Sequence, residues 1–458
     1  MLFCTWRFFA FLAAVLVLHY ALPSAARKYL LLAASYFFYM SWNAKFALLL
    51  LALTAIDFTA GILLERLPPN RRRTALIGSL IANLGLLGFF KYYNFFAYNL
   101  VPLLGLQPQR FALEIILPLG ISFHTFQSMS YVIDVYRGDQ AAIRNPVDYA
   151  LFISFFPQLT AGPIVRAREF FADLAGSRTP SSEEWRRGLL LLIFGLAKKV
   201  ALADHFALVA DNYFKDVSAH TGRWTALSGV FAFAMQIFFD FSGYTDMAIG
   251  MALLLGFHFP VNFRRPYLSQ SVTEFWRRWH ISFSNWLRDY LWFPLGGNRH
   301  GPLATYRNLM LTMLLGGLWH GASWNFIIWG SWHGALLSAE HAAGVRSERH
   351  SHPWLAPLRV LLTFILVSVG WVFFRARTLT DVTQIVLKGG GLITCPRWLL
   401  WSAAGALLLA VLEERYSWFE GLVRGPAWAY ASTVALLLFA AELLALNDTT
   451  VPFVYFQF

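Results

Sequence analysis

The chain has 458 residues, of which 57% are hydrophobic, 17% aromatic and only 14% charged, against about 25% charged in an ordinary soluble domain. A soluble globule of this size cannot hide that much apolar surface, so lipid is the solvent for most of it. The 37 basic residues exceed the 25 acidic ones by 12, but the surplus falls in short runs between apolar stretches, the pattern of topology-setting loops rather than of a nucleic-acid surface.

At the N-terminus, Arg7, the apolar run from Phe8 to Leu22 and the small residues Ser24 to Ala26 have the outline of a signal peptide. An uncleaved first span is expected instead, because Arg27 and Lys28 follow at once and many apolar segments come after. Further spans are expected near 30–40, 46–64, 75–95, 113–133, 188–210, 224–239, 244–259, 306–319, 322–340, 357–374, 397–412 and 427–446. Some are short enough to be re-entrant, which leaves about ten to twelve crossings in an all-α polytopic protein. The proline-broken basic segment from Glu65 to Arg73 should be cytoplasmic, as should the loop Arg346 to His352. No linker or repeat interrupts the chain, which reads as one integral membrane domain over 1–458, with a motif-bearing core at about 110–380 and an aromatic tail at 451–458. The two cysteines, Cys4 and Cys395, are isolated, and no ligand set at metal spacing, Walker loop or dinucleotide motif occurs.

Polar groups at membrane depth cost several kcal/mol unless paired or functional, and four clusters of them stand out. The helix breakers of Leu117–His124 and Phe156–Pro163 require backbone that lines a cavity or is buried in protein. In Phe239–Gly250, Asp240 and Asp246 suggest either a proton relay or, the favoured reading, a structural tie to an arginine. In Phe275–Tyr290, Trp276, Trp279, Phe283, Trp286, Leu287 and Tyr290 share a stripe, as on an amphipathic interfacial helix. His280 lies beside that stripe, where an anchor has no use for a titratable ring. In Gly316–Trp324, His320 stands among glycines that would admit a narrow ligand or another helix. Its imidazole suits proton abstraction from a hydroxyl. His333, 13 residues on, falls on a different face of any common helix. These clusters define a polytopic protein with a histidine-containing polar interior, and by themselves do not separate an enzyme from a proton-coupled transporter.

The runs Phe239-Asp240-Phe241-Ser242-Gly243-Tyr244, Glu274-Phe275-Trp276-Arg277-Arg278-Trp279-His280, Trp286-Leu287-Arg288-Asp289-Tyr290, Gly296-Gly297-Asn298-Arg299 and Gly317-Leu318-Trp319-His320-Gly321 resemble the membrane-bound O-acyltransferase (MBOAT) superfamily. The resemblance extends from Tyr36 through the stretch ending at Ala376 and is closest to the bacterial branch that includes the membrane subunit of alginate O-acetyltransferase. It implies a ring of helices around a central tunnel, with re-entrant and interfacial helices. It also implies acyl transfer from a cytoplasmic thioester donor, acetyl-CoA, with no bound cofactor or metal. By position His320 matches the family's principal catalytic histidine and His280 its second polar residue. His320 would act as general base, and His280 would orient the hydroxyl or donate to the oxyanion. Arg277, Arg278 and Arg288 become candidates for gripping the donor's phosphates, with lipid phosphate as the competing ligand. His333 is expected to be structural or tunnel-lining.

The implied setting is the bacterial inner membrane and O-acetylation of an exported, alginate-like or cellulose-like polysaccharide. The partner would be a periplasmic SGNH-type O-acetyltransferase or esterase-like protein. Peptidoglycan O-acetylation and teichoic acid D-alanylation use the same architecture. A transporter would instead show inverted repeats with paired broken helices, which the sequence lacks. The tail Val451–Phe458 is apolar and aromatic where chain ends are normally polar. It resembles tyrosine-containing tails of related export systems, which makes Tyr455 a candidate acyl relay, against the plainer reading of an aromatic interface anchor.

Overall fold

The computed structural model describes residues 1–176, 178–220, 223–345, 353–387, 396–446 and 453–454. The expected cytoplasmic loop at 346–352, Cys395 and Tyr455 lie outside them. The described residues are helical or irregular, with no strand. In chain order the helices are α1 (Trp6–Ala21), α2 (Ser24–Asn43), α3 (Phe46–Arg66), α4 (Pro69–Leu87), α5 (Tyr93–Leu100), α6 (Ile121–Arg137), α7 (Pro146–Ser154), α8 (Phe156–Leu159), α9 (Ala167–Gly176), α10 (Ser182–Ala197) and α11 (Asp204–Lys215). There follow α12 (Arg223–Leu254), α13 (Val272–Arg278), α14 (Ile281–Leu287), α15 (Gly301–His320), α16 (Trp324–Ala342), α17 (Ala356–Arg375), α18 (Leu379–Leu387), α19 (Arg397–Tyr416), α20 (Trp418–Arg424) and α21 (Ala427–Leu443).

Among the described residues, α3, the run Pro69–Leu104 opened by α4, Thr225–Leu254 within α12, and α17 are long and apolar enough to cross a membrane. A fifth crossing results if α20 and α21, bent by 119°, form one broken span. Helices α2, α15, α16 and α19 have 19 or 20 residues and are more polar. The chain is thus a multi-pass α-helical membrane protein. Two expectations are corrected. The spans expected at 224–239 and 244–259 are one helix of 32 residues, about 48 Å long at 1.5 Å per residue. The span expected at 113–133 begins only at Ile121, behind Gly120 at φ +71°.

The chain divides into two compact units, one of 1–192 with 247–260 and one of 193–246 with 261–458. In the first, the Glu65 carboxylate at the end of α3 pairs with Arg144, and Lys28 on α2 pairs with Asp148 on α7 at 2.8 Å. Gly120 sits so close to the Leu159 carbonyl that no Cβ fits, and residues 151–165 are buried throughout. The breakers at 117–124 and 156–163 are therefore buried in protein, where their backbone is shielded from lipid. In the second unit, Gly317 and Gly330 let α15 and α16 approach backbone to backbone, each leaving no room for a Cβ. Of the glycines around His320, Gly317 and Gly321 thus admit α16.

Candidate functional site

Helix α13 starts at an N-cap: Ser271 Oγ accepts the Glu274 N–H at 3.0 Å, and the Glu274 carboxylate reaches back to accept the N–H of Gln270, just before the cap, at 2.9 Å. Glu340 of α16 closes the same end, accepting the Val272 and Thr273 N–H groups at 2.6 and 2.8 Å. The amphipathic helix expected over 275–290 is broken. The chain leaves α13 at Trp279, passes through His280 at φ +42° and restarts as α14. A left-handed backbone at a residue with a Cβ is strained and is held only by its surroundings. Here the Ile281 N–H bonds to the Asn262 carbonyl at 2.9 Å, and the Ser282 N–H and Oγ–H bond to Asn262 Oδ1 at 3.1 and 2.9 Å. The aromatic stripe is also inside the protein rather than at a lipid surface. Trp276, Trp279, Phe283 and Trp286 are all buried, because the break turns the stripe inward on both short helices.

His280 is 1% exposed, and its Nδ1 lies 3.2 Å from Asn262 Oδ1. An amide oxygen only accepts, so Nδ1 carries the proton and the lone pair sits on Nε2. His320 ends α15 and is 6% exposed. The chain extends through Gly321 at φ −168° before α16 begins. The two histidines share a neighbour: the Phe283 ring centroid is 5.1 Å from that of His280 and 5.5 Å from that of His320, and the ring stacks on Trp319 at 4.4 Å. Trp329 and Phe374 close round His320 at 5.0 and 5.1 Å. His333 is fully buried and takes the Trp276 indole N–H on Nδ1 at 3.3 Å, and its ring lies 4.9 Å from Trp329, which it shares with His320.

The arginines separate. Arg278 is engaged by Glu274 at 2.8 Å and Glu414 at 3.1 Å. Arg277 is exposed, and Arg288 is exposed with Nε on Asp289 at 2.8 Å.

The carboxylates expected to meet an arginine meet lysines. Lys198 and Lys199 lie in a π-helical turn after α10. Lys198 pairs with Asp246 at 2.6 Å, while Lys199 lies between Asp204 at 2.7 Å and Asp240 at 2.8 Å. Asp240 has a further role that the sequence did not announce. Its Oδ2 accepts the Val454 backbone N–H at 2.6 Å. The Phe453 ring stacks on Tyr244 at 4.6 Å and meets Phe241 at 5.8 Å, and Phe241 in turn lies edge-on to His280 at 4.7 Å. The described part of the tail is therefore clamped one aromatic ring away from His280. Asn262 also escaped sequence reasoning. The only signal was a lone amide in the irregular Pro260–Arg264 stretch, and its partners are 18 to 20 residues away.

The structure thus brings two buried histidines together on one aromatic ring within a multi-pass helical protein. Residues 75–351 match the profile of MBOAT, the membrane-bound O-acyltransferase family, and the chain belongs to that family. It is 47% identical over 379 residues, 81% of this chain and 71% of the relative, to a Pseudomonas syringae protein named "Probable alginate O-acetylase AlgI". It is 41% identical over 489 residues, 98% of each chain, to a Pseudomonas putida protein of the same name. It is 39% identical over 415 residues, 83% of this chain and 78% of the relative, to a Helicobacter pylori protein named "Peptidoglycan O-acetyltransferase". The chain is thus an acyltransferase and a multi-pass protein of the bacterial inner membrane.

Proposed function

We propose that the protein moves an acetyl group from cytoplasmic acetyl-CoA through the membrane for O-acetylation of an exported, alginate-like polysaccharide, with a periplasmic SGNH-type transferase completing the reaction. The observation that carries this reading is the pairing of His280 and His320 about Phe283, next to the clamped tail. His320 takes the proton of an acceptor hydroxyl as the oxygen attacks the acetyl carbonyl. The C–O bond forms, the C–S bond breaks, and the proton passes to the departing thiolate of coenzyme A. With its proton fixed on Nδ1 by Asn262, His280 offers Nε2 as an acceptor, which suits orienting that hydroxyl better than donating to the oxyanion. Tyr455 is proposed as the hydroxyl. Its support is the docking of Phe453 and Val454, which tethers the chain directly before it beside Phe241. Arg277 and Arg288 are the candidates for the donor's phosphates, while the carboxylate pairs of Arg278 suit it to bracing α13. The relatives named for alginate favour that class of acceptor, and the Helicobacter relative keeps peptidoglycan as a second acceptor.

The test is purified protein in nanodiscs with acetyl-labelled acetyl-CoA. Wild type should acquire label on the tail tyrosine and release coenzyme A, H320A should do neither, and Y455F should lose the label. An H320A protein as active as wild type sinks the enzyme mechanism, and a Y455F protein that still acetylates polymer in cells sinks the relay.

A further inference from the structure

The first unit holds a cavity of about 600 Å³ beside the α1–α2 turn, lined among others by His19, Arg27, Lys28, Asp148, Asp173 and Arg178. That volume is in the range of small-ligand sites, and the acyl-transfer reading assigns nothing to it.

Its charges are mostly accounted for. Lys28 pairs with Asp148 at 2.8 Å, and Arg178 pairs with Glu184 at 3.2 Å. Asp173 is engaged through both oxygens by His258, from its backbone N–H at 2.7 Å and its Nδ1 at 3.0 Å. Arg27 is the exception: among the described residues it has no carboxylate partner. Its guanidinium is nonetheless positioned, with Nε donating to the Leu22 carbonyl at 3.3 Å and the planar group 5.6 Å above the Tyr20 ring. That leaves the two Nη groups free of any carboxylate in the described structure, a fork shaped for a tetrahedral oxyanion.

A second observation is independent of charge. His19 is 3% exposed, and its Nδ1 is buried without a hydrogen-bond partner. A buried polar atom left so costs about 1–3 kcal/mol, and native proteins supply such atoms with a partner, often a ligand or water. Leu31 and Phe257 add apolar wall. The turn also lies on the side of the basic Glu65–Arg73 segment, since the end of α2 and the start of α3 adjoin across the two-residue turn at 44–45 at the other end of the hairpin.

We propose that this cavity binds a phosphate-bearing anion, with the phosphate on Arg27 and an attached hydroxyl or ester reaching His19. Its favoured source is the headgroup of an anionic phospholipid, because the walls are mostly apolar and Tyr29 in the wall, with Tyr20 under the Arg27 guanidinium, suits an interfacial depth. The site is independent of the histidine chemistry and stands or falls separately from it.

The experiment uses the full chain in nanodiscs of phosphatidylcholine alone or with phosphatidylglycerol, and reads thermal unfolding together with lipids retained in native mass spectrometry. Inorganic phosphate added to the phosphatidylcholine discs supplies the soluble arm. Phosphatidylglycerol should raise the unfolding temperature of wild type and remain bound. R27Q should weaken that retention by about tenfold, the cost of one charge-assisted contact. R71Q, which removes an exposed cation elsewhere on the first unit, should leave it unchanged. Should R27Q not purify, H19F is read the same way, with a loss of about fivefold for one neutral hydrogen bond. An Arg27-dependent rise produced by inorganic phosphate but not by the lipid supports the phosphate site and moves its source to solution. No rise from either anion overturns the proposal, as do equal losses in R27Q and R71Q.

Discussion

Replacing Asp240 with Asn separates a tail clamp from a mere charge pair. In the folded protein one carboxylate holds two partners, the Val454 N–H at 2.6 Å and the Lys199 ammonium at 2.8 Å. Asparagine is nearly isosteric and keeps an oxygen for one of them, but the bond to Val454 loses its charge. A charge-assisted hydrogen bond is worth about 1.5–3 kcal/mol and a neutral one about half of that. The tail should therefore undock about 3- to 12-fold more often in D240N, for a loss of about 0.75–1.5 kcal/mol at about 1.4 kcal/mol per factor of ten. Lys199 keeps Asp204 at 2.7 Å, so the bundle should survive the change, whereas D240A would leave a larger deficit of about 3–5 kcal/mol. The readout is the maleimide labelling rate of Q457C in a C4S/C395S background, followed beside the melting temperature. Faster labelling at a nearly constant melting temperature is expected, and acetyl transfer should fall in proportion if the tail is the acceptor. An unchanged labelling rate in folded D240N refutes the clamp.

H320A should lower acetyl transfer by about 10²- to 10⁴-fold, the usual contribution of a general base, with little change in melting. N262A should act through His280, lowering kcat more than KM in acetyl-CoA kinetics, while H333F should lower the melting temperature and leave the residual rate per folded molecule intact. G317V should cost about 3 kcal/mol or more, read from detergent-resistant thermal unfolding, because its new methyls would meet the Phe326 carbonyl of α16. Burial lowers the pKa of His258, but Glu184 and Asp173 raise it by more, so it ends above the ordinary 6.5. Its contribution to stability is therefore complete below about pH 6.5 and is lost as pH rises through the folded value. Glu184 is held down to about 2, first by the Ser181 N–H and then by His258, so its contribution fades only as pH falls toward 2. Melting curves of wild type should decline between neutral and mildly alkaline pH, and H258Q should flatten that decline. Both groups are partly solvent-exposed, so the change should be small and should shrink further in salt.

The motifs that nominate the candidate site were legible because each is a continuous run. His320 sits in a Gly-Leu-Trp-His-Gly run whose glycines answer to one neighbouring helix, and the Trp/Arg/His run around His280 is continuous in sequence. What could not be read were the partners. Asp240 and Asp246 announced an expense without naming who met it, since Lys198 and Lys199 stand more than 40 residues away and look like ordinary interfacial lysines. The same ignorance split α12 in two on paper. Two carboxylates with a serine and a glycine between them look like a break, but once each carboxylate has its ammonium the backbone has no reason to leave the helix. The reverse error occurred at Trp279–His280, where a clean amphipathic pattern concealed a break that Asn262 and Arg264, from a different segment, help hold open.

The three histidines show why residue type alone could not rank them. Each is buried among aromatic rings, so neither apolar surroundings nor depth distinguishes them. His333 has its acceptor nitrogen capped by the Trp276 indole, which leaves it little capacity to accept a proton from an incoming group. His280 has its donor nitrogen taken by an amide oxygen, which fixes the tautomer that presents a lone pair. His320 stands at a helix end where the chain turns extended, so its side chain is carried by a terminus rather than locked in mid-helix. Phe283 then does what no polar residue could do at this depth: it spaces two imidazoles without adding a group that must itself be satisfied. A ring so placed packs the histidines without a further buried polar group, and Phe241, 4.7 Å from His280, carries the same packing on to the Phe453 ring of the tail at 5.8 Å.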